Sequence, residues 1–461
     1  MLVAVALAQG AVWAIVTPPL SGPDEHAHAA YAAFLAVTGD RPSQSPPRGS
    51  QSPELATLVS GLGPRSITGH PEGRIDWPAS AATERALEQL PPGADTNTSG
   101  VNATASYPPL YYGLAAGAYL ATPGGNIADR LLAMRAVGVL LFGLTVIFTW
   151  LLAGVVLAGL WPRALAAGLV ALQPKLGFIS GVINPDIMLI TLTTGFLLAG
   201  ALIIRRGLTR WRAAAIVATT IAAAFTHPRG LFLAAPLVFV FWFAARETVR
   251  REGGRPAHRA VRVAGGALVL AAIALIAALA VRWGNGGPVS DIREFASYVW
   301  QFYLPRPTFL QPFGPPYGYR QAFIETYFSV FGQIDTFPSA GFVDLLQAGA
   351  MIGLAALYTT VVARWTLVRD NWPTVVLLGG TFLSLLLLLH LAAFRELQGA
   401  GDPIITGRYI LCAVSIYGIA IAWVCSSLPK RAGPFVAAPL LAISTVLIVS
   451  GVGITALRFY G

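Results

Sequence analysis

Charge is what this sequence has least of: Asp, Glu, Lys and Arg make up 11% of its 461 residues, under half of the ~25% usual in a soluble domain. With 55% hydrophobic residues and a mean hydropathy of +0.64, that shortage excludes a soluble fold and indicates an integral membrane protein. Cysteine is nearly missing as well. Cys412 and Cys425 stand thirteen positions apart on one apolar run, too far along a helix to bridge, so there is no disulfide framework. The N-terminal MLVAVALAQGAVWAIV lacks the basic stretch and cleavage site of a signal peptide; it reads as a retained first span whose start is slightly short. No internal repeat is evident, which weighs against transporters built from inverted halves.

What the chain does have is long charge-free apolar runs: Ala136–Pro162, Ile187–Ile204, Val263–Val281, Leu345–Ala363, Asn371–Leu389, Tyr409–Pro429 and Ala432–Leu457. Each is near the ~20 residues that cross a bilayer as a helix, and repeated helical spans exclude a β-barrel. A net charge of +10 and pI ≈ 9.9 would suggest a nucleic-acid partner in a soluble protein. Here the positive residues sit in short loops between spans, so no nucleic acid is expected. Fifteen of the 31 basic residues fall in Arg163, Arg205–Arg212, Arg246–Arg262, Arg364–Arg369 and Lys430–Arg431, and placing these loops in the cytoplasm gives a consistent alternation. The expected fold class is an all-α polytopic membrane protein of about eleven transmembrane helices in a bacterial plasma membrane, N-terminus cytoplasmic and C-terminus outside. Pro108–Leu120 is expected to lie along the outer surface, because counting it as a span would turn Arg163 and Arg246–Arg262 outward.

The chain reads as one transmembrane domain, 1–461, with two long extracytoplasmic loops at 18–135 and 282–344; loops of that length are functional or disordered. The first opens with a helix from Pro23 to Thr38, runs through RPSQSPPRGSQSP and GADTNTSGVNATAS, and returns at Tyr107-Pro108-Pro109-Leu110-Tyr111-Tyr112. The second holds sixteen of the 48 aromatic residues between Trp283 and Phe342. That density suits either an interfacial belt or a platform for stacking on sugar faces.

Three groups of residues carry chemistry. At Ser21-Gly22-Pro23-Asp24-Glu25-His26-Ala27-His28, Ser21 is expected to cap a helix with Pro23 in its first turn. The helix dipole favours ionised Asp24 there, as a base or a metal ligand requires, and Asp24, His28 and Tyr31 share a face. A well-formed helix start is the plain alternative. The second group is Gln173-Pro174-Lys175, inside a span, followed by Asn184-Pro185-Asp186. A lysine among apolar residues costs on the order of 3 kcal/mol to insert and so marks function unless it snorkels to the interface. The third is His227-Pro228-Arg229 and Gly407-Arg408-Tyr409 at outer span mouths. Arginines outside run against the charge rule, and a guanidinium at headgroup depth suits a lipid-linked phosphate or ordinary anionic headgroups.

In this order and placement the residues resemble the GT-C superfamily of polytopic glycosyltransferases, whose first outer loop carries an acidic pair just after the first span. The sequence is most similar to a bacterial subgroup of predicted membrane proteins of unknown function within that superfamily, through Pro23-Asp24-Glu25-His26-Ala27-His28, Tyr107–Tyr112, Asn184-Pro185-Asp186, the Phe331-Gly332 region and Gly407-Arg408-Tyr409. The Phe328–Asp335 stretch fits only loosely. The resemblance implies a GT-C-like fold and inverting transfer of a sugar from a polyprenyl-phosphate donor to a cell-envelope glycan or lipid-linked acceptor, for polysaccharide or cell-wall synthesis, at an extracytoplasmic site. Asp24 would be the base with Glu25 beside it; Arg408, Tyr409, Lys175, Arg229 and His227 would hold the donor phosphate; His28, Tyr111, Tyr112, Asn184 and Asp186 would bind acceptor or support the site. A divalent metal, Mg or Mn, is compatible with this set, though its spacing is no metal signature. The rival reading is a transporter or flippase of a lipid-linked glycan, which has no need of the acidic pair and would require charges in the inner halves of the spans; a structural partner subunit is the third.

Overall fold

Apolar runs in lipid must satisfy their backbone groups within the segment, and the helix does so. The computed structural model describes residues 1–62, 77–90, 100–122, 124–251, 292–304, 306–310, 320–332, 336, 338–399, 405–429 and 431–461. Within these, seven helical stretches are long and apolar enough to cross a membrane. They are α4 (Ile127–Val156), α7 (Asp186–Arg206), the 3-10 turn Pro228–Leu233 running into α9 (Ala234–Arg251), α11 (Ala340–Ala363), α12 (Trp372–Gln398), α13 (Gly407–Ile410) leading into α14 (Val414–Ser427), and α15 (Ala432–Tyr460). Before and among them lie shorter helices: α1 (Leu2–Val16), α2 (Glu25–Thr38), α3 (Leu110–Leu120), α5 (Leu160–Ala171), α6 (Pro174–Ser180), α8 (Arg210–Thr226) and α10 (Ile292–Tyr303). The expected span Val263–Val281 and the loosely matching Gln333 and Asp335 lie outside the described residues.

α4 packs along α1 and α7, α7 along α8, and α5 along α14; α2 lies against α3. Among the described residues, strands occur only in a hairpin pairing Ser43–Gln44 with Pro47–Arg48. Small residues bring the helices close: a Cβ at Gly418 of α14 would stand 2.6 Å from the Ala166 carbonyl oxygen on α5. Hydroxyls are absorbed by the helices that carry them, as where Thr145 and Thr191 join α4 to α7 at 2.8 Å and each also bonds the carbonyl four residues back.

Two departures from the sequence expectations matter for the site. The expected span that holds Gln173-Pro174-Lys175 is broken. Pro174 has no N–H and ends α5, and α6 restarts with the Gln173 side chain accepting from the Leu176 amide. Lys175 therefore sits in the first turn of a short half-helix, beside unwound backbone. The first loop's helix starts at Glu25, and no side chain caps it: Asp24 takes the N-cap position in a left-handed conformation, φ 56°, and the bond expected from Ser21 is replaced by one from the Gly22 amide to the Glu25 carboxylate, 3.0 Å.

Replacing Gly418 by Val should lower the melting temperature in detergent, because the overpacked contact with α5 costs about 1–3 kcal/mol; a variant melting with wild type would show that α5 and α14 separate freely.

Candidate functional site

The turn between α1 and α2 is held by one guanidinium. Arg135, on α4 and 4% exposed, uses all five of its N–H donors. Nε and Nη2 grip both Glu25 oxygens at 2.7 and 2.8 Å, while Nη1 and Nη2 reach the carbonyls of Ala14, Thr17 and Pro18 at 2.7–2.8 Å. Glu25, fully buried, accepts two further bonds, from the Gly22 amide at 3.0 Å and the Ile183 amide at 3.1 Å. Its acceptor capacity is filled, so it ties three chain segments together. Asp24, one residue earlier, is exposed. Asp tolerates φ > 0 better than most residues, and the saturated Glu25 beside it fixes the backbone that holds it there.

Asn184 joins the next segment to the same frame. Its backbone amide donates to the Tyr111 hydroxyl at 3.0 Å, its Nδ2 donates to the Pro23 carbonyl at 3.3 Å, and its Oδ1 accepts from the Asp186 amide at 2.9 Å. Asp186 thus opens α7 with its carboxylate buried between two arginines. Arg229 Nη2 donates to Oδ1 at 2.7 Å, and Arg408 Nε lies 3.2 Å from Oδ2. His227 Nε2 is 3.9 Å from Oδ1, and its Nδ1 accepts the Arg229 amide at 3.0 Å. Tyr409 lies between the cations, 3.8 Å from Arg229 and 5.0 Å from Arg408, and its hydroxyl accepts from Arg408 Nη2 at 3.3 Å.

Arg408 and Lys175 line one cleft with Pro23, Thr326, Val330 and Thr406. Lys175, 2% exposed, donates to the Val330 carbonyl and stands 4.8 Å above the Phe178 ring. Gln173 holds the same segment through the Tyr327 carbonyl at 2.7 Å, and the Gly407 amide donates to Thr326. Glycine is required at 407, since a Cβ there would overlap the Phe323 carbonyl.

His28 Nδ1 is 2.8 Å from the Tyr112 hydroxyl, and Tyr31 stacks on Tyr112 at 3.7 Å. Burial outweighs the nearby carboxylates and pushes His28 down to about 4, so it is neutral at physiological pH.

The structure therefore brings Lys175 and Arg408 to one cleft, joins Asp186, His227, Arg229 and Tyr409 to Arg408 as one cluster, sets Asp24 next to the lining residue Pro23, and uses Glu25, Tyr111 and Asn184 as supports. Arg135 was not among the sequence candidates. Its signal was an arginine inside the apolar helix Ile127–Val156, a charge that demands a buried carboxylate. The described aromatics of the second loop divide: Phe295, Tyr298 and Phe302 pack on Phe394 and His390, Phe331 packs on Trp13 and Phe178, and Trp300 and Phe309 are exposed. Among the described residues no group of three or more His, Cys, Asp or Glu is arranged for a metal, and Asp186 already faces guanidinium on both oxygens; this donor set does not fit a divalent ion.

The sequence matches, over residues 7–416, a family model described as "Predicted membrane protein (DUF2142)". A search of curated proteins by sequence gives no significant match. Among solved structures, the apo oligosaccharyltransferase of Archaeoglobus fulgidus superposes with a TM-score of 0.50 at 14% identity, 99% of this chain covering 55% of that one. ArnT from Cupriavidus metallidurans superposes with a TM-score of 0.44 both in the apo state, at 15% identity, and bound to undecaprenyl phosphate, at 14%. There 99% of this chain covers 74% and 76% of ArnT. This chain thus spans just over half the length of the oligosaccharyltransferase, with which it shares the GT-C fold.

Two measurements probe this site. Glu25→Gln should cost about 3–5 kcal/mol of stability, because it leaves the Arg135 charge buried without its counter-charge; a loss under about 1 kcal/mol would show that the fork holds nothing. The second is pH. Below 6.5 an unfolded chain takes up a proton that folded His28 refuses until about 4, so stability should fall as pH drops through that window and level off beneath it. His28→Gln should flatten this part of the melting-temperature profile, and an unchanged slope would place the titrating group elsewhere.

Proposed function

The chain belongs to the DUF2142 family of predicted membrane proteins and has a GT-C fold, and on that premise we propose that it is a glycosyltransferase moving a sugar from a polyprenyl-phosphate donor to an envelope glycan or lipid-linked acceptor on the extracytoplasmic face of a bacterial plasma membrane. The observation that carries the reading is an exposed carboxylate, Asp24, next in the chain to Pro23, which lines the same cleft as the buried cations Lys175 and Arg408, with Arg229 joined to Arg408 through Asp186.

A sugar hydroxyl is a poor nucleophile at neutral pH, and a positioned base is worth ~10²–10⁴-fold. Asp24 removes the acceptor's proton as the hydroxyl oxygen bonds to the anomeric carbon. The bond from that carbon to the phosphate oxygen breaks on the opposite face, inverting the centre, and the electron pair leaves with the lipid phosphate. That phosphate gains a negative charge, which preorganised guanidinium and ammonium groups stabilise more than they do the donor. Arg408 lines the cleft and holds the phosphate with Lys175; Arg229 and Tyr409 set its position from behind. Glu25 acts through the backbone of Asp24, and His28, Tyr111, Tyr112 and Asn184 shape the acceptor side. Polyprenyl-phosphate as the carrier is supported by a site at the ends of α6, α7 and α13, where a lipid's phosphate reaches from the membrane.

Purified protein in nanodiscs, given a panel of polyprenyl-phosphate sugars and an envelope-glycan acceptor, should release free lipid phosphate. Asp24→Asn should reduce that release at least ~10²-fold while leaving the protein folded. Release from no donor in the panel would contradict the reading, and more than about a tenth of wild-type rate in Asp24→Asn would contradict the base role.

A further inference from the structure

The arginine pair is neutralised by a carboxylate that does no chemistry in the mechanism above. Arg229 and Arg408 share Asp186, and all three side chains are buried or nearly so, at 14%, 9% and 3% side-chain exposure. Even so, Arg229 Nη1, Arg408 Nη1 and Nε, and Asp186 Oδ2 are buried without a hydrogen-bond partner. Buried donors left unpaired are costly, and their placement beside the cleft calls for an anion. If Asp186 served only to seat the guanidiniums, a neutral hydrogen-bond acceptor would do so without weakening the field that holds that anion.

We propose that Asp186 is an internal counter-anion that limits how tightly the site holds the doubly charged lipid phosphate product, so that the cleft favours a phosphodiester over a phosphomonoester. The proposal rests on the reading of this cleft as a lipid-phosphate site. In and beside the cleft stand three cations, Lys175, Arg229 and Arg408, and two carboxylates, Asp186, paired with both arginines, and Asp24, next to the lining Pro23. His28 and His227 add no charge, since burial pushes both down, His28 to about 4. The resting cleft therefore carries one net positive charge, which a singly charged phosphodiester donor cancels. Transfer gives the leaving phosphate a second negative charge and moves the acceptor's proton to Asp24, so the balance is kept at the moment of reaction. When Asp24 returns that proton to solvent, the product-bound cleft is left with one net negative charge. The product is then repelled by a carboxylate in contact with the same two guanidiniums. With a neutral residue at 186 the product-bound cleft is instead electrically balanced, and release slows.

The test uses the full chain in nanodiscs and two lipid probes, undecaprenyl phosphate as the monoester and undecaprenyl methyl phosphate as the diester, with inorganic phosphate as a competitor to separate lipid binding from free-anion binding. Wild type should bind the diester at least as tightly as the monoester. Asp186→Asn should tighten monoester binding about tenfold, the scale of a typical coupling between two sites, and diester binding by less; Asp186→Glu, which keeps the charge, should keep the wild-type ratio. The proposal is overturned if Asp186→Asn weakens both lipids alike, or if wild type itself prefers the monoester more than about tenfold, a measurement that needs no variant to fold. Displacement of the lipids by inorganic phosphate at equal concentration would overturn it as well, by showing a free-anion site. Wild type binding neither lipid would remove both this proposal and the functional reading; the expected ratio without transfer from any donor would remove the functional reading alone.

Discussion

The site depends on the fork between Arg135 and Glu25. A buried ion pair is worth its desolvation only when every donor and acceptor is matched, and here each is: five guanidinium hydrogens find two carboxylate oxygens and three carbonyls, and the carboxylate takes two more amides. The bonded groups come from the end of α1, the turn after it, the start of α2, the body of α4 and the loop before α7. Five segments that the sequence separates by up to 170 residues are thereby set in one frame. Asp24 needs that frame, since a non-glycine residue with φ > 0 persists only where its surroundings over-determine it.

The cationic half of the cleft is built on the opposite principle. Where the fork is saturated, the cluster of Asp186, Arg229 and Arg408 is left short of partners. Saturation gives rigidity and incompleteness gives affinity, and the two lie on adjacent residues of one backbone path, from Ile183, which serves Glu25, through Asn184 to Asp186. The same path fixes the distance between a carboxylate able to take a proton and the cations able to hold a phosphate.

Much of this was legible in the sequence because it broke membrane rules. Lys175, Arg229 and Arg408 are charges where lipid disfavours them, and Asp24-Glu25 follows the apolar helix α1; the structure sets Lys175 and Arg408 on one cleft, Arg229 beside Arg408 across Asp186, and Glu25 in the fork with Arg135. What stayed hidden was division of labour. Asp24 and Glu25 are neighbours of the same type, and only the placement of Arg135, 110 residues on, makes one a buried brace and leaves the other exposed. Arg135 itself read as the last residue of a loop, because charge counting begins a span after its final charge, whereas the helix begins at Ile127. For the aromatic loop, composition records how many rings a segment carries and is silent on where each faces: Tyr298 and Tyr303 bond His390 of the protein's own helix, while Trp300 and Phe309 are exposed. The eleven-span count needs Val263–Val281, which lies outside the described residues.

The most direct measurement is a cryo-electron microscopy map of the full chain in nanodiscs with undecaprenyl phosphate. The account predicts phosphate density in the cleft between Lys175 and Arg408, on the side that faces Asp24, with the Arg135–Glu25 fork unchanged. Density at the opposite membrane face, near Arg163 or Arg364, with the Lys175–Arg408 cleft empty, would contradict it.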